Sequence, residues 1–309
     1  MKRIFIDGSA GTTGLRIRER LAAREDIALV TLEGDSRKDP AARRDMLNAG
    51  CDIAFLCLPD DAAREAVAML ENPRVVVLDT STAHRTDPRF VYGFPELNAS
   101  LRRAVPDAKR IAVPGCHASG FIALVYPLVE AGLISNGTPL TCFSLTGYSG
   151  GGKKMIGEYE ADEPNPLYEG PRQYGLTQNH KHLREMVYLT GLTTKPVFCP
   201  IVADFYSGME VTVPLFAADL RGTVDDIRAV YAQKYTGPIV RYAENTDENG
   251  FMSAAAFTGL DSMEITVAGS DERILLVARY DNLGKGASGA AVECLNLVLG
   301  VDETTGLAL

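Results

Sequence analysis

The sequence predicts an α/β protein: a doubly wound, Rossmann-type parallel sheet followed by a second domain of α+β character. Three observations predict it. Strand-like and helix-like segments alternate with short connections over the first 115 residues. A glycine-rich turn, Gly8-Ser9-Ala10-Gly11-Thr12-Thr13-Gly14, joins the first strand to the first helix. From about residue 140 the pattern becomes β-rich with few intervening helices.

Residues 3–6 form the first expected strand, and residues 14–24 a helix with Leu15, Ile17 and Leu21 set among charges. A second strand over 27–32 and a helix over 41–48 follow. The continuous apolar run 53–58 is the mark of a strand buried on both faces. A helix over 60–71 and a buried strand over 75–79 complete the alternation. In the second half, residues 140–146, 210–216, 263–268 and 273–280 are β-rich, which predicts a mixed or antiparallel sheet. Two helices interrupt it, at 120–131 and at 224–235, the latter carrying Asp225 and Asp226 in its first turn as the helix dipole favours. The expected division is therefore a cofactor-binding domain at 1–115 and a catalytic and oligomerisation domain at 116–286. A last helix, beginning at 287, is expected to return to the first domain.

The apolar fraction of 46% and charged fraction of 23% are those of a globular enzyme, and a net charge of -9 argues against nucleic acid or an anionic membrane as the main partner. The six cysteines are scattered and lack a C-x-x-C pair, so no disulfide framework is expected. Cys51, Cys57, Cys142 and Cys199 sit beside apolar residues and read as small buried hydrophobes. A strand-like segment and glycines follow the first three residues at once, unlike a signal peptide, and no apolar run approaches the roughly 20 residues of a membrane span. A soluble, cytoplasmic protein is expected.

In the first βα turn, Gly8, Gly11 and Gly14 let the backbone approach a pyrophosphate at a helix N-terminus, with Ser9, Ala10, Thr12 and Thr13 between them. Glu33, at the end of the second strand, is placed to bind the ribose diol of NAD, whereas Ser36, Arg37 and Lys38 offer a hydroxyl and two cations to the 2′-phosphate of NADP. NADP(H) is the expected cofactor.

Val113-Pro114-Gly115-Cys116-His117-Ala118-Ser119-Gly120 leads into an apolar helical run. A cysteine at a helix N-terminus feels the positive dipole end, which favours the thiolate, and the same N–H groups suit an oxyanion. A histidine beside it would supply acid and base. The chain has four, His84, His117, His180 and His182. His84 is expected on a loop and His117 partly exposed. His180-Lys181-His182 has the look of a metal pair, but no third ligand group of matching character stands near it in the sequence, so no metal is expected.

Taken together these segments resemble the N-acetyl-gamma-glutamyl-phosphate reductase family, in its shorter form. The likeness rests on the glycine turn, the strand end at 55–59, Asp79-Thr80-Ser81-Thr82-Ala83-His84-Arg85, Tyr92-Gly93-Phe94-Pro95-Glu96-Leu97 and Pro114-Gly115-Cys116. It continues through Ser149-Gly150-Gly151-Gly152-Lys153-Lys154, His180-Lys181-His182-Leu183-Arg184-Glu185 and Asn282-Leu283-Gly284-Lys285-Gly286. The resemblance implies NADPH-dependent reduction of N-acetyl-gamma-glutamyl phosphate in arginine biosynthesis, through a thioester on Cys116, by a homo-oligomer (dimer or tetramer). It implies that His180 is the acid–base residue and that His182 lies near substrate. Arg85, Lys153 and Arg184 are candidate cations for the substrate's phosphate or carboxylate. Leu58, Pro59, Ser81, Ser149, Gly150 and Asn282 join the cofactor set. An aspartate-semialdehyde dehydrogenase would share the fold, cysteine and cofactor, but the Pro-Gly-Cys-His run is unlike the Asn-Cys-Thr type expected there. A non-catalytic NADP-binding protein with Cys116 as a redox switch is the alternative from another class.

Overall fold

Because side chains alternate across a strand, a sheet covered on both faces needs apolar residues at every position. The stretches 4–6, 53–56 and 76–78 meet that requirement in the computed structural model, which describes all 309 residues. Strands β1 (Lys2–Asp7), β2 (Ile27–Val30), β3 (Ile53–Leu56), β4 (Val76–Asp79), β5 (Val91–Tyr92) and β6 (Arg110–Ala112) form a parallel sheet in the order β2-β1-β3-β4-β6-β5. Ile4, Ile6, Ile53, Phe55, Val76 and Leu78 face one core, where Ile17 and Leu21 of α1 (Thr12–Ala22) pack with them. Their neighbours Phe5, Ala54, Leu56 and Val77 face a second core with Leu47 and with Ala66 of α3 (Asp60–Ala68).

Between β2 and β3, α2 (Pro40–Asp45) starts one residue earlier than the sequence suggests. Asp39 caps it by accepting from the Ala41 amide, and Pro40 takes the first position, where no N–H is needed. A wide five-residue turn (Met46–Gly50) replaces its expected last turn. Helix α4 (Ala99–Ala104) is capped by Asn98.

The first compact unit comprises Met1–Gly115 and Ala287–Leu307, the second Cys116–Gly286 with the last two residues. In the first unit the final helix, counted α9 (Gly289–Leu299), buries Ala291, Val292, Cys294 and Leu295 in the same core as Ile4 and Phe55.

In the second unit a seven-stranded mixed sheet runs β11-β12-β13-β10-β7-β9-β8. Its strands are β7 (Thr141–Gly147), β8 (Arg172–Gln173), β9 (Val197–Ala203), β10 (Met209–Phe216), β11 (Val240–Tyr242), β12 (Met263–Gly269) and β13 (Arg273–Tyr280). Most neighbours are antiparallel, but β7 pairs with β9 in parallel over seven residues and β11 with β12 in parallel over three. Helices α5 (Cys116–Glu130), α6 (Gly152–Tyr159), α7 (Lys181–Thr190) and α8 (Val224–Lys234) complete the unit. Helix α5 opens at Cys116 itself, four residues before the expected start. Helix α8 carries a full capping box between Thr223 and Asp226. No helix is long and apolar enough to cross a membrane.

Candidate active site

In the first unit, the chain leaves β1 for β2 on one side and resumes with β3 on the other, so the strand order reverses between β1 and β3. Such a reversal opens a crevice beyond the carboxyl ends of the strands. Gly8 stands at its mouth with φ +84°, and a Cβ there would fall 2.2 Å from the Cys57 carbonyl oxygen. A Cβ on Gly14 would lie 2.5 Å from the Gly8 carbonyl oxygen. The Gly11 amide donates to Gly8 O at 2.9 Å, which closes the turn. Only glycine at positions 8 and 14 allows these segments to meet this closely.

Next to this turn lies a cavity of about 520 Å³ lined by Gly8, Ser9, Ala10, Leu58, Arg37 and Lys38, among others. Arg43 also lines it and was not anticipated. It bonds the buried carboxylate of Asp7 through Nε (3.1 Å) and Nη2 (2.8 Å). Burial nevertheless raises the Asp7 pKa above the ordinary carboxylate value, against the lowering effect of Arg43. Nothing in the local sequence marks this pair, because the partners are 36 residues apart.

A dinucleotide fits these residues: glycine turn, helix N-terminus, apolar wall and cations are the parts it needs. Thr12, Thr13, Ser36 and Pro59 flank the turn and wall without lining the cavity. Ser81 is buried and donates through Oγ to Asp79 Oδ2 at 2.8 Å. The same carboxylate lies 2.6 Å from His84 Nδ1, and His84 stacks on Phe90. Arg85 is buried too, with Nε donating to Val113 O (2.9 Å) and Nη2 to Thr80 O (2.8 Å). Both side chains therefore order the loop after β4.

In the second unit, Cys116 is half-buried as the first residue of α5. The Tyr280 hydroxyl, at the end of β13, accepts from the Gly120 amide (3.0 Å) and donates to the Cys116 carbonyl (2.5 Å). A buried phenol thus bridges the first helical turn and fixes the backbone that carries the thiol. Gly286 packs against it, with the position of a Cβ only 3.1 Å from that of Cys116.

His117 is buried, not partly exposed, because its position on α5 turns it toward the sheet. Its Nδ1 lies 2.6 Å from Ser144 Oγ on β7, and its Nε2 lies 2.6 Å from the Tyr174 hydroxyl. Burial, and secondarily the neighbouring His180, lower its pKa from 6.5 to about 3. Tyr174 is raised above its ordinary value by burial and by the nearby Cys116.

His180 and His182 lie neither on a strand nor on one face of a helix. His180 is the N-cap of α7, and its Nδ1 accepts from the His182 amide at 3.3 Å. The rings of His180 and His182 are 4.8 Å apart, and that of His117 is 5.8 and 5.5 Å from them respectively. His180 remains half-buried, and burial, assisted by Lys181, lowers its pKa. His182, though not His180, has two further donor groups beside it in space: donor atoms of Cys116, His117 and His182 all lie within 4.8 Å of one another. Ser144 and Tyr174 escaped the sequence reading because neither belongs to a motif; Ser144 is placed by β7, and Tyr174 by the end of β8, where its amide donates to Pro200 O at 3.0 Å.

Asn282 and Ser149, 133 residues apart, meet through Nδ2 to Oγ at 3.0 Å, and Asn282 Oδ1 accepts from the Gly208 amide at 2.9 Å. Gly150 lies next to both. Lys153 on α6 and Arg184 on α7 are exposed. Of the other cysteines, Cys51, Cys142 and Cys294 are buried, whereas Cys57 and Cys199 are half-buried, not fully enclosed as expected. Burial pushes the Cys51 thiol up to about 12, out of the reactive range.

Residues 3–104 match the family "Semialdehyde dehydrogenase, NAD binding domain", and residues 116–282 match "Semialdehyde dehydrogenase, dimerisation domain". N-acetyl-gamma-glutamyl-phosphate reductase 2 of Nostoc sp. is 43% identical, with 99% of each chain covered. The N-acetyl-gamma-glutamyl-phosphate reductase of Rhizobium meliloti is 45% identical, covering 96% of this chain and 98% of the relative. The chain belongs to the N-acetyl-gamma-glutamyl-phosphate reductase family, within the semialdehyde dehydrogenases. Among solved structures it is similar to aspartate semialdehyde dehydrogenase II of Vibrio cholerae complexed with ASA, with TM-score 0.70, 17% identity and coverage of 97% and 98%. The NADP-bound aspartate semialdehyde dehydrogenase of Candida albicans aligns with TM-score 0.70 at 14% identity, covering 97% of this chain and 99% of that one. At such identities the likeness is one of fold.

Proposed function

We propose that this protein reduces N-acetyl-gamma-glutamyl phosphate, with NADPH as reductant, to N-acetyl-L-glutamate 5-semialdehyde and phosphate, as a step of arginine biosynthesis. The observation that carries the reading is identity of 43–45%, across 96–99% of the chain, with reductases of that name. The site supports it chemically. Cys116 heads a helix whose N-terminal dipole favours a thiolate, with histidines gathered around it.

In this reading the Cys116 sulfur attacks the acyl phosphate carbonyl, a C–S bond forms, and phosphate leaves with the electrons of the C–O bond. His180, whose pKa is lowered by burial in favour of the neutral imidazole, accepts the thiol proton. The cofactor, when bound, supplies a hydride. The first-turn amides of α5 stabilise the oxyanion on the sulfur-bound carbon, and His180 returns its proton as that adduct collapses to aldehyde. His182, beside the sulfur, orients the substrate carbonyl. Gly8 to Gly14 and the adjoining cavity would hold the cofactor, and Arg37, which lines that cavity, would supply a cation to a 2′-phosphate. Ser149, Gly150 and Asn282 form a rigid polar corner suited to an amide such as nicotinamide. Lys153 and Arg184, exposed near α6 and α7, are the cations available to an anionic substrate.

One face of the mixed sheet supports a homo-oligomer (dimer or tetramer). Phe143, Val197 and Leu275 project from that face by strand alternation, and all three are exposed. Phosphate-dependent NADP reduction with N-acetylglutamate semialdehyde, run against aspartate semialdehyde, tests the activity. Cys116→Ser should abolish it and leave NADPH binding intact. A serine variant with more than a few per cent of the wild-type rate would refute the covalent route.

A further inference from the structure

We propose that Cys116, His117 and His182 form a zinc-binding site, in which a zinc ion caps the thiol and holds the enzyme inactive. The metal site itself stands on the geometry below; only its inhibitory consequence rests on the proposed role of Cys116 as nucleophile.

Three features carry the inference. First, one donor atom from each residue lies within 4.8 Å of the other two, and both imidazoles are buried. Tetrahedral zinc, with bonds of about 2.0–2.3 Å, spaces its ligands about 3.3–3.8 Å apart, so the three must close by roughly 1 Å. Cys116 and His117 are adjacent at the head of α5, and His182 lies in the first turn of α7, so rotamer adjustment can supply that closure. Second, the donor set is one thiolate and two imidazoles, which selects zinc or its first-row neighbours over magnesium and calcium. Third, the His117 ring is already held from behind. Ser144 Oγ sits 2.6 Å from Nδ1, the outer-shell contact that orients a ligating histidine and leaves Nε2 for the metal. At present the Tyr174 hydroxyl occupies Nε2, at 2.6 Å. Metal entry replaces that hydrogen bond, and water or the released phenol takes the fourth position.

The chemistry balances without an oxidant: Cys–SH and Zn²⁺ give Cys–S–Zn⁺ and a proton released to solvent. The sulfur lone pair needed for attack on the acyl phosphate is then committed to the metal. A chelator reverses the reaction.

The test uses cobalt as a spectroscopic stand-in, added to the full-length protein after chelator treatment. One Co²⁺ per chain should bind, with a thiolate-to-metal charge-transfer band in the near ultraviolet, and zinc should displace it. Cys116→Ser should lose the band. His117→Gln and His182→Gln should each weaken Co²⁺ by at least about tenfold. His180→Gln should leave its affinity unchanged, since His180 lies outside the triad. Independently of any variant, zinc should slow alkylation of Cys116, read by mass spectrometry, and EDTA should restore the rate. A thiolate band that survives in Cys116→Ser, loss of binding in His180→Gln alone, or alkylation indifferent to zinc would each overturn the proposal. If the protein fails to turn over N-acetylglutamyl phosphate, the cobalt spectrum still decides the metal site, so the two readings fail separately.

Discussion

The glycine turn allows stability and cofactor binding to be separated, because its three glycines are constrained differently. In Gly8→Ala the methyl would sit 2.2 Å from the Cys57 carbonyl oxygen, on a residue held at φ +84°. The left-handed backbone costs an alanine about 1–2 kcal/mol, and pushing the ends of β1 and β3 apart adds about 1–3 kcal/mol, for a total of about 2–5 kcal/mol. Gly14→Ala meets the Gly8 carbonyl oxygen at 2.5 Å, but its helical position returns about 1 kcal/mol of propensity, so the net loss is smaller. Gly11 is different. Its backbone, at φ -73° and ψ 167°, suits any residue, and its nearest neighbour to a Cβ is Gly8 O at 3.4 Å. Gly11→Ala should hold stability within about 0.5 kcal/mol of wild type. It should nonetheless weaken NADPH by about tenfold or more, about 1.4 kcal/mol, because the methyl covers backbone that the pyrophosphate must approach. The assays are urea unfolding, following whichever transition shifts with NADPH, and fluorescence titration of NADPH on the folded variants. Wild-type stability in Gly8→Ala would refute the packing argument. Normal NADPH affinity in Gly11→Ala would remove the phosphate from this turn.

Further outcomes can be checked with the same material. Arg37→Ala should raise the Michaelis constant for NADPH and barely alter that for NADH; equal losses would make Arg37 structural and return the ribose to Glu33. His180→Asn should lower kcat by about 10²–10⁴-fold with modest change in substrate KM, whereas His182→Asn should mainly raise KM, and steady-state kinetics with the acyl phosphate would expose an exchange of these roles. Because the folded His117 titrates at about 3 and an unfolded one at 6.5, the unfolded chain binds the extra proton between those values. Stability should therefore fall as pH drops below about 6.5, with a slope from this residue of up to about 1.4 kcal/mol per pH unit. His117→Gln should lack that part of the slope in denaturant titrations between pH 4 and 7, and an unchanged slope would mean that the imidazole is not kept neutral by burial.

What the sequence determined by itself follows from local physics. Apolar runs at 53–58 and 75–79 are legible as doubly covered strands because period-2 geometry buries every residue. The glycine turn is legible because a left-handed, crowded backbone admits no side chain at Gly8. Cys116 is legible because Pro114 and Gly115 break the chain just before an apolar helix. What only the tertiary structure decided are the pairings whose partners are distant in the chain. His182, but not its neighbour His180, gains two further donor groups when α5 brings Cys116 and His117 to it. Ser144 and Tyr174 carry no local signal, yet they hold both nitrogens of His117. Tyr280 supports the first turn of α5 across 164 residues of sequence, and Asn282 meets Ser149 across 133. Side-chain hydrogen bonds of this kind depend on strand register and helix placement, which periodicity constrains only within one element. The elements were therefore written in the chain, and the contacts that make a site of them arise when those elements pack.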